Sequence, residues 1–313
     1  MGNERKTENI VRKHFQTFSD LSIEEQKSDS IKINKLLKNA SKKGLNHGNP
    51  EFIISFNKND NLLIVIECKH DIRKHESKTR DKYGDYAVDG VLLYTSFLAK
   101  EYDVLAIAVS GEKENELKIS HFLHLKGEKN AFDIFGDKLL SSSDYIEGYI
   151  KSPEKFRQDY NTLLDFTKKL NEKLHSHKIL ESQRSLLISC ILIALEDEAF
   201  KTSFKKKTTP KSLADFLTKT VSEKLEEANI AGKKLENLNI QFGFIKTDTS
   251  LSSKEDILKE LVEEIDININ QFIKTHEYFD VLGQLYIEFL RYANSDKGLG
   301  IVLTPPTYNR TIC

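Results

Sequence analysis

This 313-residue sequence contains few cysteines, almost no net charge and no long apolar segment. The three cysteines, Cys68, Cys190 and Cys313, are odd in number and far apart, which argues against a disulfide framework or a thiolate zinc site. The 47 basic and 48 acidic residues nearly cancel, so no overall basic field attracts a polyanion. Binding of nucleic acid would therefore depend on local patches.

The sequence also offers no candidate for a membrane span. Its longest apolar run, Ser185–Leu195, is far shorter than the roughly 20 residues that a spanning helix needs. The first ten residues lack the apolar core of a signal peptide. These absences predict a cytoplasmic protein with no membrane partner, and the chain length predicts two domains and a fragment of a third.

Residues 1–130 combine helical and strand-like patterns. Helical spacing predicts a first helix within Leu21–Lys43. The elements predicted after it are strands at Glu51–Phe56 and Leu62–Cys68, joined by the turn Asn57–Asn61, a helix at Tyr86–Tyr102, and strands at Val104–Val109 and Leu117–Leu125. This order predicts an α/β core, in which a central mixed sheet is flanked by helices.

Two further regions follow the α/β core. Residues 131–275 show helical spacing almost throughout and predict an all-α domain, with helices at Pro153–Leu174, Gln183–Phe200, Leu213–Ala228 and Ser253–His276. Residues 276–313 predict a helix, Tyr278–Arg291, and a short strand, Leu299–Leu303, with nothing after them to pack against. We expect this last region to be the beginning of a third domain, cut short by truncation or by an interrupted gene.

The most informative segment is the predicted hairpin between Gly48 and Asp71. If the strands pair symmetrically about Asn59, Glu51 lies opposite Glu67, since both are eight residues from the centre. Side chains alternate along a strand, so Glu67 and Lys69 share one face. Two opposed carboxylates about 5 Å apart repel by roughly 3 kcal/mol at an effective dielectric near 20. The pair therefore predicts a positive partner, either Lys69 or a divalent cation.

Two carboxylates and a lysine are suited to metal-assisted hydrolysis of a phosphodiester. Glu51 and Glu67 offer hard oxygen ligands to Mg²⁺, and the backbone carbonyl of Cys68 is placed as a third ligand. Lys69 would orient the attacking water and offset the charge that develops on the phosphate. The competing interpretation is an ordinary ion pair between edge-strand acids and Lys69.

The acid-x-Lys tripeptide is weak evidence by itself, because Glu-x-Lys occurs at Glu4, Glu25, Glu67, Glu76 and Glu116. Only the copy at Glu67 lies at the end of an apolar strand, LLIVIECK. It is also the only copy that is preceded, at the spacing of a hairpin, by a strand that begins with proline and an acid, Pro50-Glu51. Spacing and strand context thus single out one copy.

Pro50-Glu51 followed by Glu67-Cys68-Lys69 resembles the PD-(D/E)xK nuclease signature, with Glu in place of the first Asp. The segments LLKNASKKG, IVIECKHD, YAVDGVLLY and LAIAVSG resemble the nuclease domain of type IIG restriction–modification enzymes, in which nuclease and methyltransferase are fused. Near the other end, FDVLGQLYIEFLRY and GLGIVLTPPT resemble the region leading into an N6-adenine DNA methyltransferase domain.

The resemblance implies a type II-like, Mg²⁺-dependent restriction endonuclease domain in residues 1–130, a helical connector in 131–275 and the start of a methyltransferase in 276–313. Thr304 and Pro305 would border a site for S-adenosylmethionine, which only a full-length fusion would bind. The expected partners are double-stranded DNA, a target-recognition domain or subunit, the rest of the methyltransferase, and a second copy in a transient dimer. No Asn/Asp-Pro-Pro-Tyr/Phe motif, glycine-rich cofactor loop or target-recognition domain is present, so the chain by itself should not methylate DNA or choose a sequence, and as a nuclease it would be inactive or non-specific.

The resemblance also suggests accessory residues. Family members often place an acid from the first helix beside the metal, which makes Glu25 a candidate ligand. The basic segment after Glu67 is a candidate for contacts with DNA phosphates through Lys69, Arg73, Lys74, Lys78, Arg80 and Lys82. His70 and His75 in the same segment are expected to be solvated or near a phosphate. Two other functions stay open: a non-catalytic DNA-binding or assembly module, and a repair-type nuclease.

Overall fold

The computed structural model describes residues 4–42, 47–252, 256–277, 279–281 and 283. The chain divides into two compact units, Met1–Phe156 and Arg157–Cys313. The predicted strand Leu299–Leu303, together with Thr304 and Pro305, lies outside the described residues, as does most of the helix predicted at 278–291. A methyltransferase-like third region therefore stays a prediction.

The first unit is built on a six-stranded mixed sheet whose spatial order follows the chain order. Its strands are β1 Leu21–Glu25, β2 Phe52–Phe56, β3 Asn59–Lys69, β4 Asp103–Ser110, β5 Lys118–His124 and β6 Phe132–Asp133. Strands β3 and β4 pair in parallel, and all other neighbours pair antiparallel. The prediction of an α/β core with a central mixed sheet is confirmed.

Helices cover both faces of this sheet. They are α1 Glu4–Phe15, α2 Ile31–Leu37, α3 Ala87–Leu98 and α4 Ser142–Ile150, with single-turn 3₁₀ helices at Ile72–Lys74 and Glu114–Glu116. The alternation of β2 and β3 divides the core in two. Ile53 and Val65 pack with α2 and α3 on one face, whereas Ile54 and Ile64 pack with α1 and α4 on the other.

Strand β4 is buried along its whole length, as the uninterrupted apolar run Val104–Val109 predicts. It pairs with β3 from Leu62↔Asp103 to Lys69↔Ser110. A strand with helices on both faces has no side exposed to water, which explains why its sequence does not alternate between polar and apolar residues. Parallel pairing with this central strand fixes the position of the end of β3, where Glu67 lies.

The prediction for the first helix is only partly right. Helical spacing from Ile31 onward corresponds to α2, whose N-terminus is capped by the side chain of Ser30. Leu21–Glu25, however, form the strand β1, paired with β2 from Leu21↔Phe56 to Glu25↔Phe52. Leu21 and Ile23 contact the core with a period of two, which is a strand period. Glu24 and Glu25 are therefore strand residues, and the first helix is α1, which was not predicted.

The second unit is helical throughout its described residues and contains no strand there. The helices are α5 Pro153–Ser176, which begins just before the unit boundary, α6 Glu181–Leu195, α7 Glu198–Ser203, α8 Pro210–Glu227, α9 Lys233–Phe242, α10 Phe244–Thr247, α11 Thr249–Ser252, α12 Ile257–Ile265 and α13 Gln271–Thr275. A 3₁₀ turn at Phe204–Lys206 follows α7, and a π-helix at Asp266–Asn270 joins α12 to α13. The predicted helical character is confirmed for the described residues of 157–275, whereas residues 131–156, also predicted as part of the all-α domain, belong to the first unit and include the strand β6.

None of the helices in the described ranges combines the length and the hydropathy needed to cross a bilayer.

Helix α1 is attached to the sheet by buried and exposed polar contacts. The hydroxyl of Thr7, which is fully buried, donates to the carbonyl oxygens of Gly111 at 2.6 Å and of Lys69 at 3.4 Å. Farther along α1, the guanidinium of Arg12 donates to both carboxylate oxygens of Glu25 at 2.6 and 2.9 Å. Thr7 thus fixes the start of α1 above the ends of β3 and β4.

Replacing Thr7 by valine keeps the shape of the side chain and removes its hydroxyl. We expect Thr7→Val to lower the free energy of unfolding by about 1–2 kcal/mol, because the hydrogen bond to a buried carbonyl is lost. Urea denaturation would measure the change. Thr17→Val is the matched control, since the exposed Thr17 hydroxyl bonds only to the nearby His14 carbonyl. Equal effects of the two substitutions would contradict this role for Thr7.

Candidate active site

Glu67 is a fully buried carboxylate near the end of β3. Its neighbours Ile66 and Cys68 belong to the core on the opposite face of the sheet. Helix α3 approaches Glu67 closely through Gly90: a Cβ atom at this glycine would lie 3.3 Å from both Cγ and Cδ of Glu67, and 2.9 Å from the Tyr83 carbonyl oxygen. The absence of a side chain at Gly90 therefore lets α3 close over the carboxylate.

Glu51 directly precedes β2, at the position where the predicted pairing places it. The register from Phe52↔Ile66 to Ile53↔Val65 is the predicted one, and the N–H of Glu51 donates to the carbonyl oxygen of Ile66 at 3.1 Å. Nearer the turn the register shifts between Ser55 and Phe56, so the connection is shorter than the predicted five residues.

The negative charge of Glu67 influences the acidity of the Glu51 carboxyl group. Burial and then the negative charge of Glu67 raise the pKa of Glu51 to about 7, while the ammonium groups of Lys42 and Lys69 act in the opposite direction. The expected repulsion between two carboxylates is therefore present. The negative charge of Glu8, an acid that the sequence did not single out, also raises the pKa of Glu51.

Lys69 is an interior ammonium group held between two carboxylates. Its Nζ atom lies 3.1 Å from Oε1 of Glu67 and 3.2 Å from Oε1 of Glu4, and the residue is 7% exposed. Burial alone lowers the pKa of Lys69, but the attraction of Glu67 and Glu4 outweighs it, so the pKa is raised. The predicted proximity of Glu67 and Lys69 is confirmed. Lys69 does not, however, belong with the exposed cations predicted to contact DNA.

Lys42 is a second lysine of the site, and no spacing or motif in the sequence pointed to it specifically. It follows α2, and its ammonium group donates to Oε1 of Glu67, the oxygen that Lys69 also contacts. The same ammonium lies 5.3 Å from the centroid of the Tyr94 ring. Tyr94 is fixed by a hydrogen bond from its hydroxyl to the Asn49 carbonyl oxygen at 3.0 Å. Lys42 lies within the resembling segment LLKNASKKG, the one sequence feature that included it.

The acids that α1 brings to this end of the sheet are Glu4 and Glu8, not Glu25. Glu4 pairs with Lys69, and burial raises the pKa of Glu8, with smaller effects of neighbouring charges. Glu25 lies on the edge strand β1, where the Arg12 guanidinium binds both of its oxygens and lowers its pKa. The expectation that Glu25 is an acid of the first helix is therefore wrong, because α1 precedes it in the chain.

The two carboxylate oxygens of Glu67 differ in their contacts. Oε1 contacts two ammonium groups, whereas Oε2 is buried and has no hydrogen-bond partner among the residues that the structure describes. If all are ionised, Glu51 and Glu67 carry two negative charges and Lys42 and Lys69 carry two positive charges, which makes this inner set neutral. Neutralisation of this kind is what allows charged groups to be buried.

The oxygen donors of the site fit a small hard cation that needs only one or two protein ligands. Within the described ranges, no group of three or more His, Cys, Asp or Glu side chains is arranged to hold a metal ion. Mg²⁺ does not require such a group, since it is commonly bound through one or two carboxylates and keeps several waters. The free oxygen of Glu67 and the adjacent Glu51 carboxyl group are donors of this kind.

Cys68 contributes a buried thiol on the opposite face of the sheet. Burial, followed by the charges of Glu67 and Glu51, raises the pKa of this thiol well above its usual value, so the sulfur is protonated and inert. The proposed ligand at this position is the backbone carbonyl, and that role stays a prediction.

The basic segment after β3 forms an exposed loop. Arg73, Lys74, Lys78, Arg80 and Lys82 are all exposed, in contrast to Lys69. Several of them have local partners: Arg73 pairs with Asp71 at 2.9 Å, Arg80 pairs with Glu76 at 2.6 Å, and Lys74 lies 4.9 Å from the centroid of the Tyr86 ring. Their exposure leaves these cations accessible to a ligand, and contact with DNA phosphates stays a prediction.

Two buried polar residues hold this loop in place. Asp89, in the first turn of α3, accepts hydrogen bonds from the backbone and hydroxyl of Ser77 and from the N–H of Lys82. His75 contacts the hydroxyls of Ser110 at 3.0 Å and Ser120 at 2.9 Å. It is 1% exposed, and burial lowers its pKa to about 4. The expectation of a solvated His75 is wrong, since this residue anchors the loop to β4 and β5.

The chain is similar to a curated protein of Heyndrickxia coagulans that is named type II restriction enzyme and methyltransferase RM.BcgI. The two are 28% identical over 342 aligned positions, which cover 97% of this chain and 52% of the relative. The chain thus spans about half the length of the relative. No protein-family model matches the chain, and no solved structure matches it.

The raised pKa of Glu51 predicts how its replacement changes stability with pH. A carboxyl group whose folded-state pKa is raised stabilises the fold most below its ordinary value of 4.5, and this contribution is lost as the pH rises through about 7. In metal-free buffer, Glu51→Gln should therefore raise the free energy of unfolding at pH 8, by on the order of 1–3 kcal/mol, and change it little at pH 4.5.

Urea denaturation at the two pH values would measure this difference. Glu116→Gln is the control, because Glu116 is exposed and, in the part of the chain that the structure describes, forms its ion pair with Lys113 at 2.9 Å. An effect of Glu51→Gln that is the same at both pH values would contradict a carboxyl group buried beside Glu67.

Proposed function

We propose that this chain is the DNA-cleaving part of a restriction–modification enzyme in which nuclease and methyltransferase belong to one polypeptide, a type IIG-like arrangement. The reaction would be Mg²⁺-dependent hydrolysis of DNA phosphodiester bonds. The observation that carries the proposal is the buried carboxylate of Glu67 beside the Glu51 carboxyl group. Oε1 of Glu67 accepts hydrogen bonds from Lys42 and Lys69, and Oε2 has no hydrogen-bond partner among the described residues. The similarity of nearly the whole chain to a protein named as a restriction enzyme and methyltransferase supports it.

Glu51 and Glu67 would hold Mg²⁺, with the Cys68 carbonyl as a further ligand. When bound, Mg²⁺ would polarise the phosphate and stabilise negative charge on the oxygens of the reacting group. The resemblance to PD-(D/E)xK nucleases gives the same assignment to Glu51, Glu67 and Lys69. Glu8 replaces Glu25 as the accessory acid, since Glu8 is the one whose charge affects Glu51.

The remaining residues of the site would keep Glu67 in one orientation. Lys69 binds Oε1 of Glu67 from within the strand and is itself fixed by Glu4. Gly90 allows α3 to exclude water from this side of the carboxylate. With its position fixed in this way, the free oxygen of Glu67 is held ready for a cation without a loss of side-chain freedom on binding.

Double-stranded DNA is the proposed substrate, and the loop after β3 is the surface proposed to contact its phosphates. Its five exposed cations are held by the buried anchors Asp89 and His75. Because the loop begins three residues after Glu67, a duplex contacting it would pass near the carboxylates. A rigid cationic loop fixes the register of DNA without reading its sequence.

Sequence recognition and methylation are proposed to need other parts of a longer protein. The relative is about twice the length of this chain, and its name includes methyltransferase. A target-recognition domain or subunit, S-adenosylmethionine bound near Thr304 and Pro305, and a transient dimer are the partners that the resemblance implies. Residues Arg157–Cys313 would then include the connector to the methyltransferase.

One observation favours a second candidate, a DNA-binding or assembly module without catalysis. Glu67 is already neutralised by Lys42 and Lys69, so the site is electrically balanced without a metal ion. Under this alternative the four groups would be a structural ion-pair network. A repair-type nuclease is less well supported, since the similarity to a restriction enzyme and methyltransferase extends over 97% of the chain.

Glu67→Gln tests the proposed catalytic site. We expect it to reduce Mg²⁺- or Mn²⁺-dependent nicking of plasmid DNA by at least about 100-fold. Even mutation of a residue that only hydrogen-bonds to a metal ligand typically lowers metal affinity or activity by about 10–100-fold. Gel analysis of supercoiled DNA measures the rate, and calorimetric titration with Mn²⁺ measures metal binding. Glu116→Gln, in another Glu-x-Lys tripeptide, is the control and should cleave normally. Cleavage and Mn²⁺ binding that are unchanged in Glu67→Gln would refute the assignment.

Neutralising Lys74, Lys78 and Lys82 together tests the proposed DNA surface. If each lysine contacts one phosphate, the triple glutamine variant should weaken DNA binding and reduce the slope of log K against log salt by up to about 2.7, at about 0.9 per contact. Fluorescence anisotropy over a range of KCl concentrations measures this slope. Substitution of Lys205–Lys207 of the second unit by glutamine is the comparison. A larger reduction of the slope in that variant would contradict the proposal that the loop after β3 contacts DNA.

A further inference from the structure

The two lysines on Glu67 differ in how firmly they are held. Lys69 contacts two carboxylates, those of Glu67 and Glu4, and its side chain is 9% exposed. If its ammonium group moved to another partner, Glu4 would lose its cation, and Glu67 would keep only Lys42, the more exposed of its two cations. Lys69 is therefore a fixed part of the site.

Lys42 is held by fewer contacts and lies nearer to solvent. Among the ion pairs of the described residues, its carboxylate partner is Glu67, and its side chain is 16% exposed. A four-carbon stem with rotatable bonds allows an ammonium group to move by several ångströms. If Lys42 leaves Oε1, Lys69 still neutralises Glu67, so the movement does not expose an unpaired buried charge.

The ring of Tyr94 offers Lys42 a second support. The ammonium lies 5.3 Å from the ring centroid, within the range of a cation–π interaction. The ring cannot swing away easily, because its hydroxyl is bonded to the Asn49 carbonyl oxygen and the residue is 2% exposed. Once a divalent cation also neutralises Glu67, Lys42 is the surplus positive charge, and Tyr94 keeps it beside the site.

We infer that Lys42, and not Lys69, is the ammonium group that contacts the phosphate of substrate DNA at this site, an inference that rests on the proposed nuclease function. Lys42 exchanges Oε1 of Glu67 for a phosphate oxygen, whereas Lys69 stays between Glu67 and Glu4 and acts as a positioning residue. This division of roles reverses the one expected from the tripeptide Glu67-Cys68-Lys69, in which the lysine of the motif meets the substrate.

Substitutions at the two lysines separate these roles. Lys42→Met and Lys69→Met would be compared with Lys38→Met, an exposed lysine that lies four residues before Lys42. Binding of a DNA duplex would be measured in Ca²⁺, a cation that carboxylate oxygens bind with looser geometry than Mg²⁺, over a range of KCl concentrations. Single-turnover cleavage in Mg²⁺ and the midpoint of thermal unfolding would be measured on the same proteins.

Lys42→Met should reduce the slope of log K against log salt by about 0.9, the value for one phosphate contact, and slow cleavage by at least about 100-fold. Its unfolding midpoint should remain close to that of the wild type. Lys69→Met should lower the unfolding midpoint and leave the slope unchanged, and Lys38→Met should change neither. If Lys42→Met unfolds, the neutral variant Lys42→Gln, which can still donate to Glu67, should show the same loss of slope.

A wild-type slope and a wild-type cleavage rate in Lys42→Met would overturn the inference, and so would a loss of slope in Lys69→Met instead. Failure of the proposed function is distinguishable from this result. If the wild-type chain binds DNA but neither cleaves it nor binds Mn²⁺, the nuclease proposal is wrong, and the salt dependence still decides whether Lys42 contacts a phosphate.

Discussion

A buried carboxylate shared by two ammonium groups organises one end of the sheet. Glu67 is fully buried, and Lys42 and Lys69 both contact its Oε1 atom. A buried charge is tolerated only when it is paired, and leaving it without any partner typically costs about 3–5 kcal/mol. The site therefore constrains folding as well as being a candidate catalytic site. Glu67 can be buried only when the segments that carry its ammonium partners pack against β3.

The fold satisfies this constraint from several directions. Strand β3 carries Glu67 and Lys69, and parallel pairing with β4 places them at the end of a fully buried region. Helix α3 closes over Glu67 because it has no side chain at Gly90, and the chain after α2 brings Lys42. Helix α1, fixed through Thr7, brings Glu4 to Lys69. The exposed cationic loop begins at the same end of the sheet, so the carboxylates of Glu51 and Glu67 are adjacent to a surface suited to phosphates.

Local patterns in the sequence determined how much of this site could be predicted. The hairpin register and the proximity of Glu67 to Lys69 follow from strand alternation, and these two predictions agree with the structure. Lys42 could not be predicted in this way, since it reaches Glu67 from 25 positions away through the packing of α2 on the sheet. Glu25 was misplaced for a related reason: a short strand within a mostly helical pattern lacks the length to reveal its own period.

The central claim is that Glu51 and the free oxygen of Glu67 hold a divalent cation. Anomalous scattering from crystals of the chain soaked in Mn²⁺ tests this claim most directly. The account predicts a peak between the two carboxyl groups, roughly 2.1 Å from Oε2 of Glu67 and from an oxygen of Glu51, the distance usual for small hard cations. A saturating soak that leaves this position without a peak, with Glu51 turned away and both lysines still on Glu67, would contradict it.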